Sequence, residues 1–462
     1  MAVNPGPRGM ARPTSSPTPL RLLHSAANRS RQASGPPSST LLKKKIKQPS
    51  VAERDRVLKA LVANNSLELY QLGAVIGNGQ FGQVRTGVHR LSQRRVALKV
   101  YSKSKAIVSD QISSIQKEID IMKEIDHPNI VRLYEILETK DHITIVMEHC
   151  DGEDLGKYMA RKTKLDEDVA RVIFQQITDA MGYLHRKHII HRDIKPQNIL
   201  IQESAGRPPL VKLVDFGLGA RDTAKVQPKL TAFCGTPAFM APEIIAHELY
   251  EGKPVDAWSL GILLYLLVTG TIPFDAPSPA QLYPKICRGV FEMPAHLSPP
   301  LVDLLRGVLT VNVNQRLCVE QMRHHQWLCV EEVVAKRTPV TIDSMTSLFV
   351  AEASTHRAIL AEMTIYGLQK EAILDDLASK TYNGVTAWYR LLHLQALQTK
   401  RKQSALLAPS KTTQAFKRLD AMSNNTVISS MDFARFLQEK MSIAKDTAAP
   451  FAIKPTSSTT DL

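Results

Sequence analysis

The segment His191-Arg192-Asp193-Ile194-Lys195-Pro196-Gln197-Asn198 is followed, after a loop-sized interval, by Asp215-Phe216-Gly217. Polar groups at this spacing fit one reaction. Asp193 can orient a substrate hydroxyl and accept its proton, while Asn198 and Asp215 can hold Mg²⁺ against nucleotide phosphates. Either short motif alone is a common match; both in this order are not. The expected chemistry is phosphoryl transfer from ATP to a protein. Two further features would complete a phosphate site. Gly77-Asn78-Gly79-Gln80-Phe81-Gly82-Gln83-Val84 lies between two predicted strands, and its glycines let backbone amides approach phosphates without a Cβ clash. A strand on both sides disfavours a dinucleotide site, which needs a helix after the turn. Val96-Ala97-Leu98-Lys99 places a lysine on an apolar strand, where it needs a partner. Glu118, on the next predicted helix, can pair with it and aim the ammonium at the ATP α- and β-phosphates. Read alone, the loop is an ordinary hairpin and Lys99 a snorkelling surface lysine; the company of the catalytic segment argues against both.

These groups need a scaffold, and the periodicity supplies one. Short β-like segments at 72–76, 84–89 and 95–101 precede a helical stretch at 109–125, and strands follow at 133–138 and 143–148. From 166 to 327 the pattern is mainly helical. The reading is α+β: a small β-rich lobe, then a larger helical lobe, with a cleft between them. Residues 329–344 read as a connector, 345–397 as a compact helical segment, and 398–462 as a mostly disordered tail with one helix at 431–441.

The chain has 462 residues and a net charge of +15. Residues 1–52 hold nine Lys/Arg and no acid, and residues 398–462 hold ten against five acids, so the middle is close to neutral. That argues against nucleic-acid binding by the core. Residues 1–55 are Pro-, Ser- and Arg-rich and read as a disordered basic tail; their prolines weaken an organelle-targeting reading. No signal peptide is evident. The longest apolar runs, such as 260–268, are too short for a membrane span. Cys150, Cys234, Cys287, Cys318 and Cys329 show no metal or CxxC spacing and read as reduced thiols. A cytoplasmic location is expected, with a nuclear one suggested by the basic run Lys43-Lys44-Lys45-Ile46-Lys47.

Over residues 68–328 the chain resembles the eukaryotic protein kinase superfamily. Ala241-Pro242-Glu243 and Asp256-Ala257-Trp258-Ser259-Leu260-Gly261 carry further marks of it. The resemblance implies a bilobal kinase fold, ATP and Mg²⁺ as cofactors, and protein substrates. It implies nucleotide contacts from Ile76, Gly77, Asn78, Gly79, Gln80, Phe81, Gly82, Val84 and Lys99, and adenine binding by the backbone of the hinge from Glu148 to Cys150, with Met147 guarding the pocket behind. It places Arg316 against Glu243 and stacks Leu133, Met122, His191 and Phe216 into a regulatory spine. Lys195 with Gly235-Thr236-Pro237 resembles serine/threonine rather than tyrosine kinases. Lys195 would neutralise the transferred group, and Thr236 would hold Asp193 and Lys195 in register. Asp154 stands where basophilic relatives read an arginine, but Gln197 replaces a glutamate, so a mild preference for basic substrates is expected.

Arg192 is expected to grip a phosphate on the activation loop. In many relatives the phosphorylated threonine lies two residues before the position of Cys234; here that residue is Ala232. Thr231 is therefore the expected target of an upstream kinase, with Thr223 weaker and a phosphate-independent loop as the alternative. Residues 340–397 resemble the ubiquitin-associated-like domain of AMP-activated and sucrose-nonfermenting kinases, within the calcium/calmodulin-dependent kinase group. Met363, Gly367, Tyr382-Asn383 and the segment 385–392 carry that likeness. In that family the domain packs on the kinase and adjusts its activity. Ubiquitin binding is the less favoured use, and a calmodulin-binding helix at 395–407 is less favoured than a solvated helix end. A pseudokinase would need loss of Lys99, Asp193, Asn198 or Asp215, and all are present.

Overall fold

The computed structural model describes residues 50–62, 66–78, 82–108, 111–205, 207–222, 230, 232–329 and 353–407. Gly79, Gln80, Phe81, Thr223, Thr231, the connector beyond Cys329 and the helix expected at 431–441 lie outside these residues.

A helix, α1 (Val51–Val62), precedes a five-stranded antiparallel sheet of β1 (Tyr70–Asn78), β2 (Gly82–His89), β3 (Arg95–Ser102), β4 (Leu133–Glu138) and β5 (His142–Glu148), in the order β1-β2-β3-β5-β4. Alternation along β3 decides what each face does. Ala97, Lys99 and Tyr101 point to one side; Val96 and Leu98 point to the other and are fully buried there. In register, Lys99 lies opposite Val84 on β2 and Ile145 on β5. The helix expected at 109–125 is α3 (Ile112–Lys123), preceded by a separate short helix, α2 (Lys103–Val108). Its inward stripe of Ile115, Glu118, Ile119 and Met122 repeats at helical spacing, which delivers Glu118 to the sheet.

The large lobe contains α4 (Leu155–Lys162), α5 (Glu167–Arg186), α6 (Pro242–Ile245), α7 (Gly252–Thr269), α8 (Pro279–Arg288), α9 (Pro299–Val308) and α10 (Val319–Arg323). α7 is buried almost all round because it is apolar all round, and the remaining helices pack about it. The lobe is less purely helical than its pattern suggests. β6 (Glu153–Asp154), β8 (Ile199–Ser204) and β9 (Arg207–Leu213) form one small sheet, and β7 (Ile189–Ile190) pairs with β10 (Ala220–Arg221). Two-residue strands carry too little periodicity to be read from sequence. They matter because β7 leads into the catalytic segment and β8 leads out of it.

Three helices, α11 (Ala353–Ile365), α12 (Lys370–Ala378) and α13 (Gly384–Leu407), form the helical segment. Met363, Ile373, Leu377, Trp388 and Leu391 are buried, and Tyr366 meets Trp388 edge-on at 5.3 Å. These side chains continue into one apolar cluster with Leu61, Leu69, Tyr70, Val96, Leu98, Tyr134, Leu137 and Val146 of the small lobe. The segment therefore covers the sheet face opposite Lys99. Two boundaries differ from the sequence reading. α1 begins inside the stretch expected to be a disordered tail, and α13 runs on beyond 397 to Leu407. No helix among the described residues is long and apolar enough to cross a membrane.

Candidate active site

The catalytic segment is fixed from below by one buried acid. Asp256 of α7 is fully buried; its Oδ2 accepts the amide of His191 at 3.0 Å and contacts His185 Nε2 at 2.8 Å, while its Oδ1 accepts the amide of Arg192 at 2.8 Å. A carboxylate held in an apolar core needs such donors. This anchor bends the chain so that Arg192 adopts φ +63°, a conformation a non-glycine residue keeps only when its surroundings impose it.

Above the anchor, four side chains converge. Asn198 Nδ2 donates to both the carbonyl and the Oδ2 of Asp193 at 2.8 Å, which turns the amide oxygen of Asn198 away from Asp193. Lys195 Nζ lies 2.7 Å from Asp193 Oδ2 and donates to Thr236 Oγ1 at 3.1 Å. Thr236 in turn donates to Asp193 Oδ1 at 3.1 Å. Gly235, at φ +109°, lets the chain pass close to the catalytic segment; a Cβ there would sit 3.3 Å from the Arg192 carbonyl. Sequence reasoning placed Asp193, Lys195, Asn198 and Thr236 together, and the structure brings them together.

Beside this cluster, Lys99 of β3 joins Asp215 to the small lobe. Its Nζ lies 2.7 Å from Glu118 Oε1 and 2.9 Å from Asp215 Oδ1. Burial alone would push the Lys99 ammonium down, but Glu118 and Asp215 outweigh it and hold the pKa well above 10.5. Burial likewise works against the Asp215 carboxylate, and Lys99 overcomes it, so Asp215 is held below its usual range. Tyr101 donates to the second oxygen of Glu118 at 2.5 Å. That residue was missed: its position one strand step beyond Lys99 was the available signal. Asp215 takes φ +66°, and Phe216 tucks back against His191 with ring centroids 5.2 Å apart. Met122, Leu133, His191 and Phe216 are all buried.

Ile76 is 54% exposed, and Val84 is partly buried against the main core. Gly82 has a structural reason as well as a phosphate one: a Cβ would sit 2.6 Å from the Val100 carbonyl of β3. Gly77 and Asn78 close β1, whereas Gly79, Gln80 and Phe81 lie outside the described residues. At the hinge, the Glu148 carboxylate is occupied by Lys212 at 2.8 Å and by the Arg132 amide at 3.3 Å. The Glu148 amide in turn donates to the Arg132 carbonyl at 2.9 Å. Met147 is buried. The residues present fit Mg²⁺ bound to a nucleotide. Asp215 is ionised and about half exposed, and with the Asn198 amide oxygen it supplies hard oxygen donors. Among the described residues no cluster of three His, Cys, Asp or Glu could hold a metal by itself, as suits an ion that takes most of its ligands from phosphate and water.

Arg316 and Glu243 form a bidentate pair at 2.7 and 2.9 Å, with Arg316 also over the Trp258 ring at 5.0 Å. This ties the end of the activation segment to α7.

A family profile described as "Protein kinase domain" matches residues 70–328. Rice serine/threonine protein kinase OSK4 (Oryza sativa subsp. indica) is 34% identical over 71% of this chain and 62% of its own length. Maternal embryonic leucine zipper kinase of Xenopus tropicalis is 35% identical over 76% of the chain and 52% of its own. Serine/threonine-protein kinase SIK1 of Mus musculus is 32% identical over 77% and 45% respectively. The chain thus spans about half the length of these relatives. Given the geometry above and these likenesses, the chain belongs to the protein kinase family, and the relatives it resembles include serine/threonine protein kinases.

Proposed function

We propose that the chain transfers the γ-phosphoryl group of ATP to Ser or Thr hydroxyls of proteins, with Mg²⁺. The observation that carries this is the continuous network from Glu118 through Lys99 to Asp215, beside the Asp193–Lys195–Thr236–Asn198 cluster. Asp193 orients the acceptor hydroxyl and takes its proton; Lys195 neutralises charge on the transferred group; Lys99 holds the α- and β-phosphates. Asn198 and Asp215 would hold the metal, which when bound supplies charge neutralisation across the phosphates. Gly77, Asn78, Gly79, Gln80, Phe81 and Gly82 would cover the phosphates, and Ile76, Val84, Glu148 and Cys150 would bind the base. The full chain incubated with ATP, Mg²⁺ and a Ser/Thr peptide tests the reading, with Asp193→Asn as control. No transfer above that control would sink it.

A mild preference for basic peptides is supported by Asp154. Its Oδ1 caps α4 by accepting the Lys157 amide at 2.9 Å, and its Oδ2 pairs with the exposed Lys157 ammonium, which a substrate guanidinium could displace. The helical segment acts as an internal clamp rather than a ubiquitin or calmodulin binder. Tyr382 donates its hydroxyl to the Lys123 carbonyl at the end of α3 at 2.8 Å, and its own carbonyl accepts the Ile136 amide of β4 at 3.0 Å. Arg390 donates to the Tyr134 carbonyl at 2.9 Å. These bonds fasten α3, and with it Glu118, to the sheet. Tyr382→Phe should lower kcat; an unchanged kcat would refute the clamp, and a higher one would reverse its sign.

A further inference from the structure

Kinase activation loops are commonly ordered when an added phosphate pairs with an arginine. Arg192 is the arginine in that place, and here the chain's own neutral groups already engage it. Its Nε donates to the Leu218 carbonyl at 2.7 Å. Tyr250, between α6 and α7, lies against it. Burial raises the Tyr250 phenol pKa and Cys234 adds to the effect, while the nearby Arg192 charge pulls it back. The same hydroxyl donates to the Ala232 carbonyl at 2.8 Å. Leu230 and Tyr250 exchange both backbone hydrogen bonds, at 2.8 and 3.1 Å, forming an antiparallel bridge. Phe233 stacks on His247 at 4.8 Å and meets Tyr283 edge-on at 6.2 Å. Two residues on, Gly235 passes close to the Arg192 carbonyl, and the next residue, Thr236, donates its hydroxyl to Asp193. Ala232 itself has no hydroxyl to modify.

We propose that this activation segment docks without a phosphate, with Tyr250 as the positioning residue that holds Leu230 and Ala232 and so keeps Thr236 on Asp193. This rests on the kinase reading above. While the Leu218 carbonyl takes up the Arg192 Nε, the Tyr250 hydroxyl ties the segment at Ala232. It is neutral, so the link needs no upstream enzyme and is insensitive to phosphatase.

The full chain, treated with protein phosphatase and shown phosphate-free by mass spectrometry, is compared with Thr231→Ala and Tyr250→Phe in peptide phosphorylation. Hydrogen exchange at the Leu230 and Tyr250 amides reports docking without reference to activity. Dephosphorylated wild type and Thr231→Ala should keep kcat within about twofold, and both amides should exchange slowly. Tyr250→Phe should lose about tenfold in kcat, as expected for one lost bridging hydroxyl, with the ATP KM unchanged and the two amides exchanging faster. Slow amides in a wild type that transfers no phosphate would sink the kinase reading and leave the docking standing. Fast amides after dephosphorylation, or activity that depends on phosphate at Thr231, would overturn the docking.

Discussion

Thr236 offers the sharpest test of the catalytic geometry. Its hydroxyl makes two bonds, donating to Asp193 Oδ1 and accepting from Lys195 Nζ, both at 3.1 Å. Hydrogen bonds to charged groups contribute about 1.5–3 kcal/mol each. At 3.1 Å these are long for their kind, and Lys195 keeps its direct 2.7 Å contact with Asp193. The loss on removing the hydroxyl is therefore nearer one such bond than two. About 1.5–3 kcal/mol corresponds to roughly a 10- to 150-fold fall in kcat. Thr236→Val keeps the side-chain volume and removes only the hydroxyl, so it isolates this contribution. Thr236→Ser should stay within about threefold, since the hydroxyl remains. Steady-state kinetics with varied ATP and varied peptide separate the contributions. None of the Thr236 bonds reaches Lys99, Asn198 or Asp215, so the ATP KM should not move. A Thr236→Val enzyme with nearly full kcat, or one whose defect lies in the ATP KM, would refute this account.

Three further outcomes are expected. Arg316→Ala leaves Glu243 buried without its partner and should cost about 3–5 kcal/mol in chemical denaturation, whereas Arg316→Met with Glu243→Leu should recover most of it. His89 and His127 are buried and held neutral, with pKa values lowered by burial to about 3 and about 4 from 6.5. Below pH 6.5 the unfolded chain takes up protons that the folded one refuses, so stability falls with pH; between pH 7 and pH 5 each should lose about 2 kcal/mol in denaturant titrations, and His89→Gln should remove one share. Arg390→Met removes the donors to the Tyr134 and Thr381 carbonyls and the contact with the Tyr382 ring at 4.2 Å. It should weaken docking of the helical segment by about 2–4 kcal/mol, read as faster hydrogen exchange in β4 with the kinase fold retained.

The groups that carry the chemistry were legible in the sequence because catalysis restricts residue type at short spacing. Only a carboxylate serves at Asp193 and Asp215, and only a strand lysine with an acid on the following helix serves at Lys99 and Glu118. The two lobes were legible because period-two and helical apolar patterns differ over runs as long as β3 and α5. The short strands β7 and β10 were not, since two residues define no period, although they frame the catalytic segment. The supports of the site were hidden for another reason. Asp256 reaches His191, Lys212 reaches Glu148, and Tyr250 reaches Ala232 across 65, 64 and 18 residues, and no local pattern reports such contacts. The left-handed backbone at Arg192 and Asp215 also has no local signature, because residues with a Cβ avoid it unless packing imposes it. The apolar side of the helical segment announced that it must be covered, but not by what. Only the folded chain decides that it lies on the sheet face opposite Lys99, because that face, which carries Leu98, Val146, Tyr134 and Leu137, exists only once β3, β5 and β4 have paired.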